Sequence, residues 1–330
     1  MGLSSEFLTL FRRNLKLSSI ISTLVPAIPD PGGIGGLGKV CFVGAFAANC
    51  RGKMIVGHQT RLYQYKVGEQ EWSRLPSTYK DRYGGSSCCI GSKKFMVCGG
   101  TRHGDTAELF HFDDIDRESV RQPASLTYWT KFQKNEWEKL GISHYDEQTS
   151  DEQTMPHWGC PSKLLAKVCY QTLIELSDGK AMLVGGCQVN GSPSDRTFMA
   201  KLIEDETDVQ WTEIEPMNLP RLEHIAFKIK NSIYVAGGIG PGDTTSSSCE
   251  KYSLKENCWE MISYTLPYPL NGASVVVGKD ESYALIIGGR VNNKRVSNKV
   301  VVFTEEKGFS EFISFELKST RHGHVSLITE

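Results

Sequence analysis

Four short apolar runs in this chain end in a pair of glycines: FMVCGG at 95–100, MLVGG at 182–186, IYVAGG at 233–238 and LIIGG at 285–289. The pairs are Gly99-Gly100, Gly185-Gly186, Gly237-Gly238 and Gly288-Gly289. The last three recur at 52 and then 51 residues, and 86 residues separate the first pair from the second. A degenerate copy, MIVGH at 54–58, stands about 42 residues ahead of the first pair. A strand that ends in a sharp turn, or that meets another backbone closely, needs positive φ or a missing Cβ, and glycine meets both demands at least cost. Self-similarity at such a period restricts the chain to a repeat architecture.

The flanks of each run repeat as well. Another β-prone stretch lies upstream across a short turn, at 225–230 before Asn231-Ser232 and at 273–278 before Lys279-Asp280. Downstream come a polar loop, a strand, a tight turn and a last strand that often holds tryptophan. The clearest copy runs Gly237-Gly238, Tyr252, Trp259, and Gly57, Tyr65, Trp72 keeps the same seven-residue step from tyrosine to tryptophan. The third copy has Leu202 and Trp211, and the last has Phe303 with Phe309 or Phe312 in place of tryptophan. Trp137 stands where the second copy should end. These copies read as four short strands each, a small antiparallel sheet that cannot cover both its faces and must stack on its neighbours. Four-stranded units of this period are the signature of β-propeller blades. Tyrosine and tryptophan supply large rigid area for the contacts between sheets.

Paired glycines, then tyrosine, then tryptophan at these spacings resemble the kelch repeat, over roughly residues 39–330. The resemblance implies an all-β, kelch-type β-propeller with blades at about 39–75, 84–140, 167–214, 221–263 and 271–316. Polar, charged, proline-bearing stretches at about 113–128 and 142–166 read as loops inserted in and after the second blade. Residues 1–38 read as a separate N-terminal segment, and 7–28 within it fits either a strand pair or a targeting peptide. The segment RHGHVSLIT at 321–329 resembles RLEHIAF at 221–227, the opening of the fourth blade. Kelch rings typically close by letting one terminus complete the blade begun at the other. Six blades are preferred, with 6–11 and 15–20 as outer strands of the sixth. In the five-blade alternative, 321–330 becomes the inner strand of the first.

Chemistry-bearing motifs are sparse. Thirty-seven basic residues against 38 acidic ones leave a net charge of −1, so no global field favours nucleic acid or an anionic membrane. No run reaches the roughly 18 apolar residues of a membrane span. The ten cysteines include no C-x-x-C pair and read as reduced thiols of a cytoplasmic protein. His157 and Cys160 lack a second ligand pair at zinc spacing. Asp113, Asp114, Asp116 and Glu118 lack the glycine and closing glutamate of a calcium loop. The glycine-rich 32–38 lacks the Gly-Lys-Ser/Thr ending of a phosphate cradle, and no G-x-S-x-G appears. No metal, cofactor or catalytic residue is expected.

In a four-stranded antiparallel blade, the start of the first strand and the end of the second lie at one face. That face is expected to carry Arg82, Arg221 and Arg321 at first-strand starts, and Arg102, His103 and Arg290 after glycine pairs. His224 and His324 stand three residues after Arg221 and Arg321. Guanidinium groups pair bidentately with carboxylates, so this set is the candidate contact surface for an acidic peptide. The same arginines also read as ordinary residues held by their own loops. The resemblance implies a protein-interaction scaffold or adaptor without catalysis, and its alternative is a sugar-active enzyme using the channel, oxidase- or epimerase-like. The first 38 residues are too short for a BTB or F-box segment, so the resemblance is to the kelch half of such adaptors.

Overall fold

The computed structural model describes residues 46–50, 53–58, 60–66, 71–75, 78–91, 94–102, 104–111, 162–164, 166–177, 179–203, 209–317, 320 and 322–323. Five four-stranded antiparallel sheets follow one another through these residues, each with its strands side by side in chain order. The first sheet comprises Phe46–Cys50, Lys53–His58, Arg61–Lys66 and Glu71–Leu75. The second comprises Ser86–Cys89, Lys94–Cys98, Thr106–His111 and Ser162–Lys163. The third comprises Thr172–Ser177, Lys180–Val184, Thr197–Leu202 and Val209–Ile214. Ile225–Ile229, Ser232–Ala236, Ser248–Ser253 and Cys258–Thr265 form the fourth. Ser274–Val277, Ala284–Ile287, Lys299–Thr304 and Gly308–Glu316 form the fifth.

Alternation along each strand explains the stacking. In the fourth sheet Ile225, Phe227, Tyr234 and Ala236 pack into a core shared with Ile286, Val301 and Phe303 of the fifth. Their neighbours Ala226, Ile233 and Val235 pack into a core shared with Ile174, Met182 and Val184 of the third. A period of two sends alternate side chains to opposite faces, so a strand buried on both faces is apolar throughout. The first strands of successive sheets lie against one another in order, which makes them the inner strands. The architecture is a β-propeller.

One backbone motif ties the inner strands together. The N–H of Tyr170 donates to the Gly84 carbonyl at 2.7 Å, Glu223 to Tyr170 at 3.0 Å, Gly272 to Glu223 at 2.9 Å and Gly323 to Gly272 at 2.7 Å. All five residues have positive φ, from 53° to 70°, in the left-handed region, although Tyr170 and Glu223 are not glycine. Gly323 therefore continues the series after the fifth sheet, in the place its likeness to the 221–227 opening predicts.

The glycine pairs serve the same junctions. All eight of their residues have positive φ. The second glycine donates to the carbonyl that opens the next sheet: Gly100 to Val168 at 3.0 Å, Gly186 to Arg221 at 2.8 Å and Gly238 to Leu270 at 2.8 Å. A Cβ on Gly237 would collide with the Leu270 carbonyl oxygen, so both demands on glycine meet at this position. Gly57 differs. It sits inside a strand opposite Phe46, whose ring fills the space a Cβ would need.

Three sequence expectations change. Phe46–Cys50 pairs with Lys53–His58 and holds the inner place that the five-blade closure assigned to 321–330. The fourth strand of the second sheet is Ser162–Lys163, which pairs with Thr106 and Ala107. Two residues are too few to show a periodicity, so the strand read as loop, and the whole of 112–161 intervenes before it. Finally, Cys50 and Cys89 are not reduced thiols: they form a disulfide between the first two inner strands, with Cα atoms 5.7 Å apart. The adjacency of these strands, not the 39-residue separation, brings them within bonding range. The N-terminal segment 1–38, the insertion at 113–128, most of that at 142–166, and Trp137 lie outside the described residues.

Candidate functional site

Arg82 and Arg221 are buried, which removes their side chains from the surface expected of them. Arg82 donates from Nε and Nη2 to Glu108 Oε1 at 3.0 and 2.6 Å, and from Nη1 to the carbonyls of Gly99 and Thr106 at 3.0 and 2.8 Å. Arg221 repeats the arrangement, with Nε and Nη2 on Glu250 Oε1 at 3.2 and 3.1 Å and Nη1 on Gly237 O at 2.7 Å. Each carboxylate also accepts backbone N–H bonds from the segment entering its sheet: Tyr79 and Lys80 on Glu108, Asn218 and Leu219 on Glu250. A planar fork with several donors suits this role, because one side chain satisfies a carboxylate and the carbonyl exposed at the glycine turn together. These arginines clasp their own sheets.

His224 is buried too, and neither ring nitrogen has a hydrogen-bond partner among the described residues. Burial first, and then the Arg221 charge, push its pKa down to about 3. It is a neutral packing residue whose ring lies against Gly185 and whose Cβ lies against Gly238.

What the face does present is a cluster at the inner ring. Tyr83 and Tyr170 meet edge to face with centroids 6.5 Å apart. Asn271 Nδ2 donates to Glu223 Oε2 at 2.7 Å. Arg290 Nη2 lies 2.6 Å from His322 Nε2, and Arg290 Nη1 donates to Asn293 Oδ1 at 3.3 Å. A guanidinium has only donors, so His322 Nε2 must be the unprotonated acceptor. Burial and the Arg290 charge hold His322 below its ordinary pKa, in keeping with that state, while Glu223 pulls the other way. Burial, helped by Tyr83, raises Tyr170 to about 12, so its hydroxyl stays protonated. Asn271 is buried, Asn293 is exposed and the other groups are half-buried, and Arg102 is exposed on the turn after Gly99-Gly100.

Of the arginines and histidines expected at this face, Arg102 and Arg290 are therefore accessible. His103, Arg321 and His324 lie outside the described residues. The sequence reading missed Glu108, Glu250, Tyr83, Tyr170, Glu223, Asn271 and His322. A signal existed for the ring residues: Gly84, Tyr170, Glu223 and Gly272 each fall two places after Arg82, Val168, Arg221 and Leu270, which open successive sheets. Among the structural aromatics, Trp211, Tyr252 and Trp259 are buried between sheets, and Tyr252 stands opposite Trp259 with rings 5.1 Å apart. Tyr65 and Trp72 hold the same opposed register in the first sheet.

Among the described residues no three His, Cys, Asp or Glu side chains converge to hold a metal ion, and no helix is long and apolar enough to cross a membrane. Stacked four-stranded sheets, paired left-handed glycines and an inner backbone ring together define a kelch-type β-propeller. Residues 226–264, the fourth sheet from its inner strand to its outer one, match the Kelch motif. Kelch repeat and BTB domain-containing protein 1 of cowpox virus (strain Brighton Red) is 26% identical over 207 residues, covering 54% of this chain and 33% of the relative. Its ectromelia virus (strain Moscow) counterpart is 24% identical over 211 residues, 57% of this chain and 35% of the relative. A kelch repeat-containing protein of Arabidopsis thaliana is 23% identical over 120 residues, 36% of this chain and 28% of the relative. The chain thus spans about a third of the length of the curated relatives it matches. Its likeness to kelch-repeat proteins covers the fourth sheet by motif and about half of the chain by sequence.

Proposed function

We propose that this propeller is an interaction module that receives an acidic segment of a partner protein at the ring mouth, with no chemistry of its own. The observation that carries this reading is Arg290, half-buried and steered by His322 and Asn293, at an inner face that also presents the aromatic pair Tyr83 and Tyr170. An oriented guanidinium and accessible aromatic area on one face are the composition of an interface anchor. Arg102 adds a second accessible cation on an equivalent turn. The viral relatives, whose names join kelch repeats to a BTB domain, support a scaffold role.

Selection of a displayed random-peptide library on the purified protein tests the proposal. Acidic sequences should be enriched, and Arg290→Ala should weaken the selected peptides by about tenfold or more, the worth of a charge-assisted hydrogen bond. The thermal melt of the variant should match that of the unmodified protein. Enrichment of peptides without acidic residues, or equal binding by the variant, overturns the reading.

A further inference from the structure

Cys169 and Cys187 face one another across a single antiparallel bridge that precedes and follows the first hairpin of the third sheet. They exchange both backbone hydrogen bonds, Cys169 N–H to Cys187 O at 3.2 Å and Cys187 N–H to Cys169 O at 2.6 Å. Residues so paired have Cα atoms about 5.5 Å apart, inside the roughly 4.4–6.8 Å that a disulfide spans. The Cys169 thiol donates to the Cys187 carbonyl at 3.9 Å and the Cys187 thiol to the Gln188 carbonyl at 3.4 Å, and burial with the nearby Cys187 raises Cys169 to about 12. Both are half-exposed, whereas Cys88, Cys98 and Cys249 are buried.

We propose that Cys169 and Cys187 form a reversible dithiol–disulfide site, oxidised by a small disulfide of the glutathione type. Cys187 as thiolate attacks one sulfur of the small disulfide, forming a mixed disulfide and releasing a thiolate that solvent protonates. Cys169 then loses its proton to solvent and attacks Cys187 Sγ, which expels the second small thiolate. Two protein thiols are oxidised to one disulfide, and one small disulfide is reduced to two thiols. The backbone is already paired in the register the cross-link needs, so closure requires side-chain rotation alone. An accessible bond of this kind is readily reduced again, unlike Cys50–Cys89, whose two residues are buried.

The location gives the site its consequence. Cys187 also bridges to Pro193, so the pair forms the base of a loop that holds Val189 at 78% exposure. Cys169 is the neighbour of Tyr170, which lies in the inner ring and bonds to Gly84. Oxidation pins this loop beside the ring mouth. The site stands whether or not an acidic partner binds there.

Trypsin separates the two cysteines, because residues 168–180 and 181–196 are distinct peptides with one cysteine each. The full chain is incubated with oxidised glutathione, blocked with an alkylating agent in the folded state, digested and analysed by mass spectrometry. The expected product is peptide 168–180 joined to peptide 181–196, abolished by prior dithiothreitol. Cys169→Ser should instead accumulate the glutathione adduct on peptide 181–196. Recovery of both wild-type peptides as alkylated monomers after oxidation overturns the proposal, as does a cross-link that forms only in denaturant.

Discussion

The fourth and fifth sheets share one backbone plan and close the same junction with opposite chemistry. Arg221 opens the fourth and Leu270 the fifth, and each carbonyl receives the second glycine of the preceding pair. Opposite the residue two places before the first glycine stands Glu250 in one sheet and Val301 in the other. The second and third sheets repeat the contrast, with Arg82 and Glu108 in one and Val168 and Phe198 in the other. An ion pair taken from water loses about what its attraction regains, so the clasp need not be more stable than the apolar plug. What it adds is direction. Glu250 binds the backbone of Asn218 and Leu219 and so orients the chain entering its sheet.

The largest test of this contrast removes one half of the clasp. Glu250→Ala leaves a buried guanidinium unpaired and should cost about 3–5 kcal/mol in denaturant unfolding. Arg221→Leu combined with Glu250→Val copies the fifth sheet and should recover most of that loss. A double variant as unstable as the single one would show that the two closures are not interchangeable.

The same junction carries a titration in the fourth sheet that the fifth lacks, since Ala273 stands where His224 does. His224 has an ordinary pKa of 6.5 and is held at about 3 in the fold. Unfolded chains therefore bind a proton that folded ones refuse between these values. Stability should be complete above pH 6.5 and fall with acidification by roughly 1.4 kcal/mol per pH unit from this group. His224→Gln, the residue type the third sheet places there as Gln171, should remove that component from a pH series of melts. An unchanged slope would assign the acid sensitivity elsewhere.

A smaller effect separates the outer strands. Trp259 Nε1 donates to Glu215 O at 3.0 Å, whereas Trp211 Nε1 finds no acceptor among the described residues. Replacing each by phenylalanine removes similar area but only one hydrogen bond. Trp259→Phe should cost about 1 kcal/mol more than Trp211→Phe, and equal costs would mean that the Trp211 nitrogen is satisfied.

Much of this was legible in the residues. The seven-residue step from Tyr252 to Trp259 is the span of a hairpin that sets them face to face, so a local count captured a tertiary contact. The glycine pairs marked strand ends because no other residue takes positive φ against a neighbouring carbonyl at so little cost. The arginines were legible as charge and not as role. Whether Arg221 faces solvent depends on Glu250, 29 residues later, arriving at the matching place on the third strand. The Tyr83, Tyr170, Glu223 and His322 cluster was hidden for the same reason: its members lie at the openings of the second, third and fourth sheets and after the fifth, too far apart in sequence for one window to join them.

The sequence by itself determined the repeat, the strand count of each unit and the apolar faces, because these rest on local backbone preference and on alternation along a strand. Closing the stack decided the rest. It set Phe46–Cys50 in the first inner place, joined Cys50 to Cys89, withdrew Arg82, Arg221 and His224 from the surface, and brought Arg290 to His322. Each of these depends on which chain segments lie side by side once the sheets have buried their faces against one another, and that proximity is a property of the packed ring.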